Sequence, residues 1–315
     1  MKLLPERRPA PFVVLVALFT ITAVLLITVQ LPGRSLFWQA TQNAGHSLVF
    51  FLLSFVTATL LRVYSSFRPA AIFIIVLVSC QLMGGLVELV QPEVGRDGNW
   101  GDFFLDLLGA LAGLSLYLSL LPNGRGRWWW LLLSSLLVAA ALAHPVQMKL
   151  AERERAQVFP VIADFENYWL NLYLLPVSGA GYRTEVVPEW QQNQTPAARI
   201  EFHPGAWPGL MIHEVHPDWR AGSALSFDVF NPAEDTLRLT LRINDRHHNQ
   251  RYGDRFNRTF DVKPGAHHFT VSMDAIRNGP KEREMDLSAV TMMMFYSYKM
   301  KKNAVIYLDN VVIHQ

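Results

Sequence analysis

Between His46 and Asp106 the sequence places residue types that can do chemistry. Glu88 and Gln91 stand three apart, Asp102 and Asp106 four apart, and Arg96 lies between the two pairs. A histidine with carboxylates can exchange protons or hold a metal ion. Polar side chains gathered beside apolar runs can equally bind a lipid head group. Glu93 and Asp97, in the same stretch, read as the wet surface of a loop. No HExxH, GxSxG or GxxxxGK[ST] accompanies the cluster, so no nucleophile or phosphate cradle is evident. A second group of interest lies in "NDRHHNQRYGDRFN", with Asp245, Arg246, His247, Arg251, Tyr252 and Arg255. Planar guanidinium and aromatic groups suit a saccharide, offering hydrogen bonds and a stacking face. Trp207 and Trp219 would add platforms.

Two unlike halves must position these residues. The 315-residue chain is 51% hydrophobic with a net charge of +2, but the apolar residues concentrate before about His144. That balance gives no reason to invoke nucleic acid as a partner. Cys80 is the single cysteine, so no intramolecular disulfide forms. Runs at 12–29, 46–63, 70–90, 103–121 and 128–143 approach or reach the ~20 apolar residues that span a bilayer as helix. The first lacks a small-x-small cleavage site and is read as a retained helix. Lys2, Arg7 and Arg8, then Arg62 and Arg68, then Arg125 and Arg127 mark alternate loops. Those loops belong on the cytoplasmic side, which puts the N-terminus inside and everything after the fifth span outside. On the third helix Gln81, Gly84, Glu88 and Gln91 share one face. On the fourth, Asp102, Asp106, Gly109 and Gly113 do. His46 is placed at the outer end of the second span, with Ser54 and Thr57 below it. Small residues beneath the cluster allow close helix packing, and ionisable groups in spans mark paired, functional interiors.

"GHSLVFFLL" and "GGLVELVQPEVGRDGNWGDFFLDLLGALAG" resemble the VanZ-like membrane family over about residues 10–145. Its pattern falls here on His46, Glu88, Gln91, Arg96, Asp102, Asp106, Gly109 and Gly113. One departure adds a negative charge: the family commonly has asparagine where Asp106 stands. The resemblance implies a bacterial cell-envelope protein, of a family associated with reduced sensitivity to lipoglycopeptide-type antibiotics, and leaves the biochemical activity open.

Residues 145–163 read as a stem, with a short solvated helix in "KLAERERA". Beyond it the period becomes two. "ALSFDVFN", "LRLTLRIND", "HHFTVSM" and "AVIYLDNVVI" alternate apolar and polar residues between turn-rich clusters, which indicates a β-sandwich. "VIADFEN" and "VIYLDNVVI" resemble the galactose-binding-like jelly rolls among carbohydrate-binding modules, over about residues 160–315. In that family the first and last strands pair, and an acidic residue from each often holds a structural calcium. The matching positions are Glu166 and Asp309, with Asp164 alternating onto the same face.

The expected fold class is therefore α+β and multidomain, a five-helix transmembrane bundle (1–144) followed by an antiparallel β-sandwich or jelly roll (164–315). The expected function is recognition of a lipid or lipid-linked saccharide at the outer leaflet of the bacterial inner membrane. The exported sandwich then binds glycan or docks an envelope-assembly protein. Two alternatives stay open: an enzyme modifying a lipid-linked glycan through His46, Glu88, Asp102 and Asp106, and a non-catalytic subunit of a polysaccharide assembly or export machine.

Overall fold

The computed structural model describes residues 10–29, 31, 33, 35–94, 100–122, 126–191 and 193–315. The chain divides into two compact units, Met1–Lys149 and Leu150–Gln315. The first is helical: α1 (Ala10–Thr28), α2 (Leu36–Tyr64), α3 (Pro69–Val90), α4 (Trp100–Ser119) and the first part of α5 (Arg127–Val158), which continues past Lys149, with a 3₁₀ turn at Gln91–Val94. Among the described residues these five helices are long and apolar enough to cross a membrane.

Local signals set their ends. Ser35 caps α2 by accepting from the Trp38 N–H, and Pro69, which needs no N–H partner there, opens α3. Two boundaries differ from the sequence reading. Helix α2 starts ten residues before His46, because Gln39, Gln42 and Asn43 lower the hydropathy of its first turns without breaking a helix. Gln42 instead accepts a hydrogen bond from the Leu31 N–H at 3.0 Å. His46 is thus not at a helix end but about 15 Å along the axis. The fifth span and the expected separate stem helix are also one element, since α5 runs through Pro145 to Val158.

The second unit is two antiparallel sheets. Its elements are β1 (Val161–Ala163), α6 (Tyr168–Asn171), β2 (Leu174–Val177), β3 (Gly181–Val186), β4 (Pro196–Phe202), β5 (Gly209–His213), β6 (Ala224–Asn231), β7 (Leu237–Asp245), β8 (Phe256–Val262), β9 (Gly265–Ser272), α7 (Met273–Arg277), β10 (Val290–Tyr296) and β11 (Ala304–His314). One sheet has the order β3-β4-β11-β6-β9, with β1 also paired to β11; the other has the order β2-β5-β10-β7-β8. First and last strands therefore pair, through Val161 opposite Val312. Strong alternation made β6, β7, β9 and β11 legible. The shorter strands β1, β2, β3 and β5 and the small helices α6 and α7 carry too few periods to stand out.

The sheets close on each other through aromatic rings. Phe227 of β6 meets Phe295 of β10 at 5.0 Å and Phe260 of β8 at 5.3 Å, both edge to face. Edge-to-face geometry suits the ring quadrupoles and adds to the burial of their apolar area. On β7 the inward phase is Leu239, Leu241 and Ile243, all fully buried. That choice forces the alternate residues Arg238, Thr240 and Arg242 onto the opposite face of the sheet.

Candidate functional site

Two sites emerge, one in each unit. In the helical unit α2, α3 and α4 bring His46, Glu88 and Asp102 together. One ligand-capable atom from each lies within 4.8 Å of the other two. Asp106, one turn below Asp102, sets Oδ1 3.4 Å from His46 Nδ1, with both side chains almost wholly buried. Gln91 is buried at the C-terminal end of α3. Arg96, expected to fold back onto Asp102 or Asp106, lies outside the described residues.

Glycines make the convergence sterically feasible. A Cβ at Gly109 would stand 2.0 Å from the Ser47 carbonyl oxygen, and one at Gly113 would stand 2.2 Å from that of Phe51. Helices α2 and α4 therefore approach backbone to backbone, which only glycine permits at those two points. A Cβ at Gly84 would meet Asp106 Oδ2 at 2.5 Å, so α3 leaves room for that carboxylate.

The donor set fits a metal ion. One imidazole and two carboxylates are the ligand types of a zinc site that keeps an open position. Asp106 stands where a carboxylate would orient the imidazole through Nδ1, leaving Nε2 for the ion. Such an ion would supply Lewis-acid or hydroxide chemistry. This chain's own part is to hold His46 in one orientation and to bury the charges.

In the sandwich the outward side of the β2-β5-β10-β7-β8 sheet forms a groove of about 830 Å³. Strand register builds its floor. Met294 of β10 lies opposite both Met211 and Arg242. Tyr296 lies opposite Thr240, which in turn lies opposite Thr259. Two rows of side chains thus cross the sheet at the ~5 Å spacing of paired strands. Loops add Trp207, Tyr252, Arg255 and Tyr298 at the rim. The rings of Trp207, Tyr252 and Tyr298 are all more than half exposed, and the Arg255 guanidinium lies over the Tyr252 ring at 5.1 Å.

Of the residues expected to bind glycan, the groove takes Trp207, Tyr252 and Arg255. It does not take the others. Trp219 is fully buried in the sandwich core, its Nε1 donating to the His216 carbonyl at 2.6 Å, so it offers no face to a sugar. Asp245 is likewise buried, clamped by Arg283 through Nη1–Oδ2 at 2.5 Å and Nη2–Oδ1 at 2.7 Å. Its role is to fix the loop. Arg246, His247 and Arg251 are exposed on that loop but do not line the groove. Arg238, Thr240, Arg242 and Tyr296 went unnoticed in the sequence. The signal for the first three was present as the polar phase of "LRLTLRIND", and Tyr296 ends the hydrophobic strand β10, but phase alone does not say which face is concave.

At the junction of β1 and β11, Asp309 is buried, and its pKa is pushed up to about 6 by burial and by the charges of Glu166 and Asp228, against hydrogen bonds from the Asn310 N–H and the Asn193 amide. Asp228 accepts from Asn310 Nδ2 at 2.9 Å and lies 2.6 Å from His268 Nδ1, and Asp309 accepts from the Asn193 amide; calcium at Glu166 and Asp309 is a proposal that a chelator tests. The expected strand alternation of Asp164 with Glu166 is absent. Strand β1 ends at Ala163, and Asp164 Oδ1 turns the chain by accepting from the N–H groups of Glu166 and Asn167 at 3.3 and 3.0 Å.

No family model matches the chain, and no curated protein does. The VanZ-like resemblance therefore stands on the residues quoted for it. Solved structures do match, over about half of the chain. An exo-beta-agarase is 16% identical, over 49% of this chain and 24% of that chain, with a TM-score of 0.40. A family 11 carbohydrate-binding module from Clostridium thermocellum, in complex with a β-1,3-1,4-mixed-linked tetrasaccharide, is 16% identical over 49% of this chain and 94% of that one, with a TM-score of 0.39. The CBM22-1–GH10 modules of Clostridium thermocellum xylanase 10B, complexed with xylohexaose, are 12% identical over 49% of this chain and 27% of that one, with a TM-score of 0.33. The chain thus spans about a quarter of the agarase. Its own binding chemistry has to be read from its own groove.

Proposed function

We propose that this chain is a membrane-anchored saccharide-binding protein of the bacterial cell envelope. The observation that carries the reading is the groove: exposed rings of Trp207, Tyr252 and Tyr298 beside hydrogen-bonding side chains on an open sheet face. Sugar rings stack on such faces, while their hydroxyls need directed donors and acceptors. The five apolar helices support a multi-pass anchor in the cytoplasmic membrane, and the alternating arginines support an exported sandwich. The cluster at His46, Glu88, Asp102 and Asp106 supports recognition of a lipid or lipid-linked saccharide at the outer leaflet. The test is a saccharide-binding screen of the full chain in detergent, beside its Trp207→Ala variant. Binding that the variant loses supports the reading, and failure to retain any saccharide refutes it. External protease on spheroplasts should remove the sandwich; protection until the membrane is lysed would refute the exported placement.

A second reading is favoured by one observation, the approach of His46, Glu88 and Asp102 to within 4.8 Å. It makes the helical unit a metal-dependent enzyme acting on a lipid-linked glycan. Elemental analysis of the purified chain, beside its His46→Ala variant, separates it from pure binding. Stoichiometric metal that the variant lacks supports the enzyme, and equal trace metal in both refutes it.

A further inference from the structure

The groove's charges are unbalanced. Its lining includes Arg238, Arg242 and Arg255 and, among the described residues, no aspartate or glutamate. The nearby acids are already engaged elsewhere. Asp245 and Asp254 both bond to Arg283. Asp286 accepts from Ser288 and lies 3.5 Å from His247. Asp261 faces Arg238 at 3.7 Å with both side chains largely exposed, a pair that water screens strongly.

Arg242 is the central case. Its Nε donates to Asn244 Oδ1 at 3.1 Å, and its Nη2 lies 3.4 Å from His248 Nε2. The His248 Nδ1 is 2.8 Å from the Asp254 carbonyl, to which it donates, leaving Nε2 as the acceptor. These partners orient the guanidinium without neutralising it. Burial and the charge of Arg255 pull the Arg242 pKa down to about 10, still well above neutral, so it stays charged. Two like charges held at a half-buried surface cost free energy that an arriving anion would recover. Guanidinium forks also match carboxylate and sulfate oxygens in geometry.

We propose that the groove takes an anionic saccharide, one bearing carboxylate or sulfate, with the anion held by Arg242 and Arg255 and a sugar face stacked on Tyr252 or Trp207. This rests on the saccharide reading above and names the ligand's class. The same charges disfavour positively charged sugars and give neutral glycans nothing to neutralise the arginines.

The test uses the full chain in detergent and calorimetric titration with tetragalacturonate, its methyl ester, a sulfated galactan tetrasaccharide and a neutral mixed-linked glucan tetrasaccharide. Tetragalacturonate or the sulfated chain should bind at least about tenfold more tightly than the ester and the neutral glucan. The preference should shrink between about 50 and 500 mM salt. Arg242→Gln and Arg255→Gln should each remove most of it while melting like the parent, and Arg277→Gln, on an exposed pair outside the groove lining, should not. If neutral and anionic chains bind equally, or both groove variants bind like the parent, the anionic inference falls and the saccharide reading stands. If no chain of either kind binds, both fall.

Discussion

Replacing Arg283 with methionine should destabilise the sandwich, and the loss should depend on pH in a defined direction. Arg283 makes two short bonds to Asp245 and one, Nε–Oδ1 at 2.5 Å, to Asp254. The Asp245 side chain is fully buried and that of Arg283 about a quarter exposed. Removing one partner of a buried pair costs 3–5 kcal/mol, and the partial exposure of Arg283 places this case near ~3 kcal/mol. For a unit of this size that is roughly 6–12 °C in melting temperature. At Asp245 burial pushes the pKa up, but the bond from Arg283, the Asp286 N–H, the arginine charge and the His247 N–H together hold it below the ordinary value. At Asp254 the bond from Arg283 leads in lowering it. Carboxylates with depressed folded pKa values stabilise fully above the unfolded value, about 4, and lose that contribution as pH falls through the folded one. In the variant only the Asp286 and His247 N–H groups offset the burial of Asp245, which then relieves much of its penalty by taking a proton. The destabilisation should thus be full at about pH 7 and smaller at about pH 3.5. Thermal unfolding of the full chain measures it, with the sandwich transition assigned by hydrogen exchange of β6 and β7 amides. A variant that melts with the parent at about pH 7, or a deficit that grows as pH falls, would refute the reasoning.

Other substitutions test the remaining geometry. Gly109→Ala should lower the yield and melting temperature of folded protein, because its Cβ would sit against the Ser47 carbonyl, whereas Gly45→Ala, with nothing within 4 Å, should be neutral; equal behaviour of the two would sink the close packing of α2 on α4. Trp219→Ala should cost the sandwich about 3–5 kcal/mol, while Trp207→Ala should leave stability intact and abolish saccharide binding; the reverse assignment would be decisive against the groove. If Glu166 and Asp309 hold calcium, a chelator should lower the sandwich melting temperature. The raised pKa of Asp309 gives stability that is present below about pH 4 and lost as pH rises through about 6, so chelation should hurt more at pH 8 than at pH 5. Identical melting curves with and without chelator would exclude the site.

What was legible in the sequence follows from period and composition. Five apolar runs are visible because a bilayer demands ~20 apolar residues in series. Strands β6, β7 and β11 are visible because one face packs into the sandwich core and the other carries polar residues, which writes a period of two into the residues. The faces carrying Glu88 and Gln91, or Asp102 and Asp106, follow from the helical repeat alone.

The tertiary structure decided the rest. Three faces on three helices could have turned anywhere; the glycine contacts at Gly109, Gly113 and Gly84 set the rotation that brings His46 to Asp106 and to within reach of Glu88 and Asp102. Register across β5, β10, β7 and β8 put Met211, Met294 and Arg242 in one row, a relation between residues up to 83 positions apart. The sequence shows Trp207 and Trp219 as equals, yet one is more than half exposed and the other fully buried. Asp245 and Arg255 share one loop and looked like one site, but Arg283, far along the chain, claims the acid and leaves the groove to the cations. Local pattern specifies which residues can face the core. Only long-range pairing specifies which of the others end up facing one another.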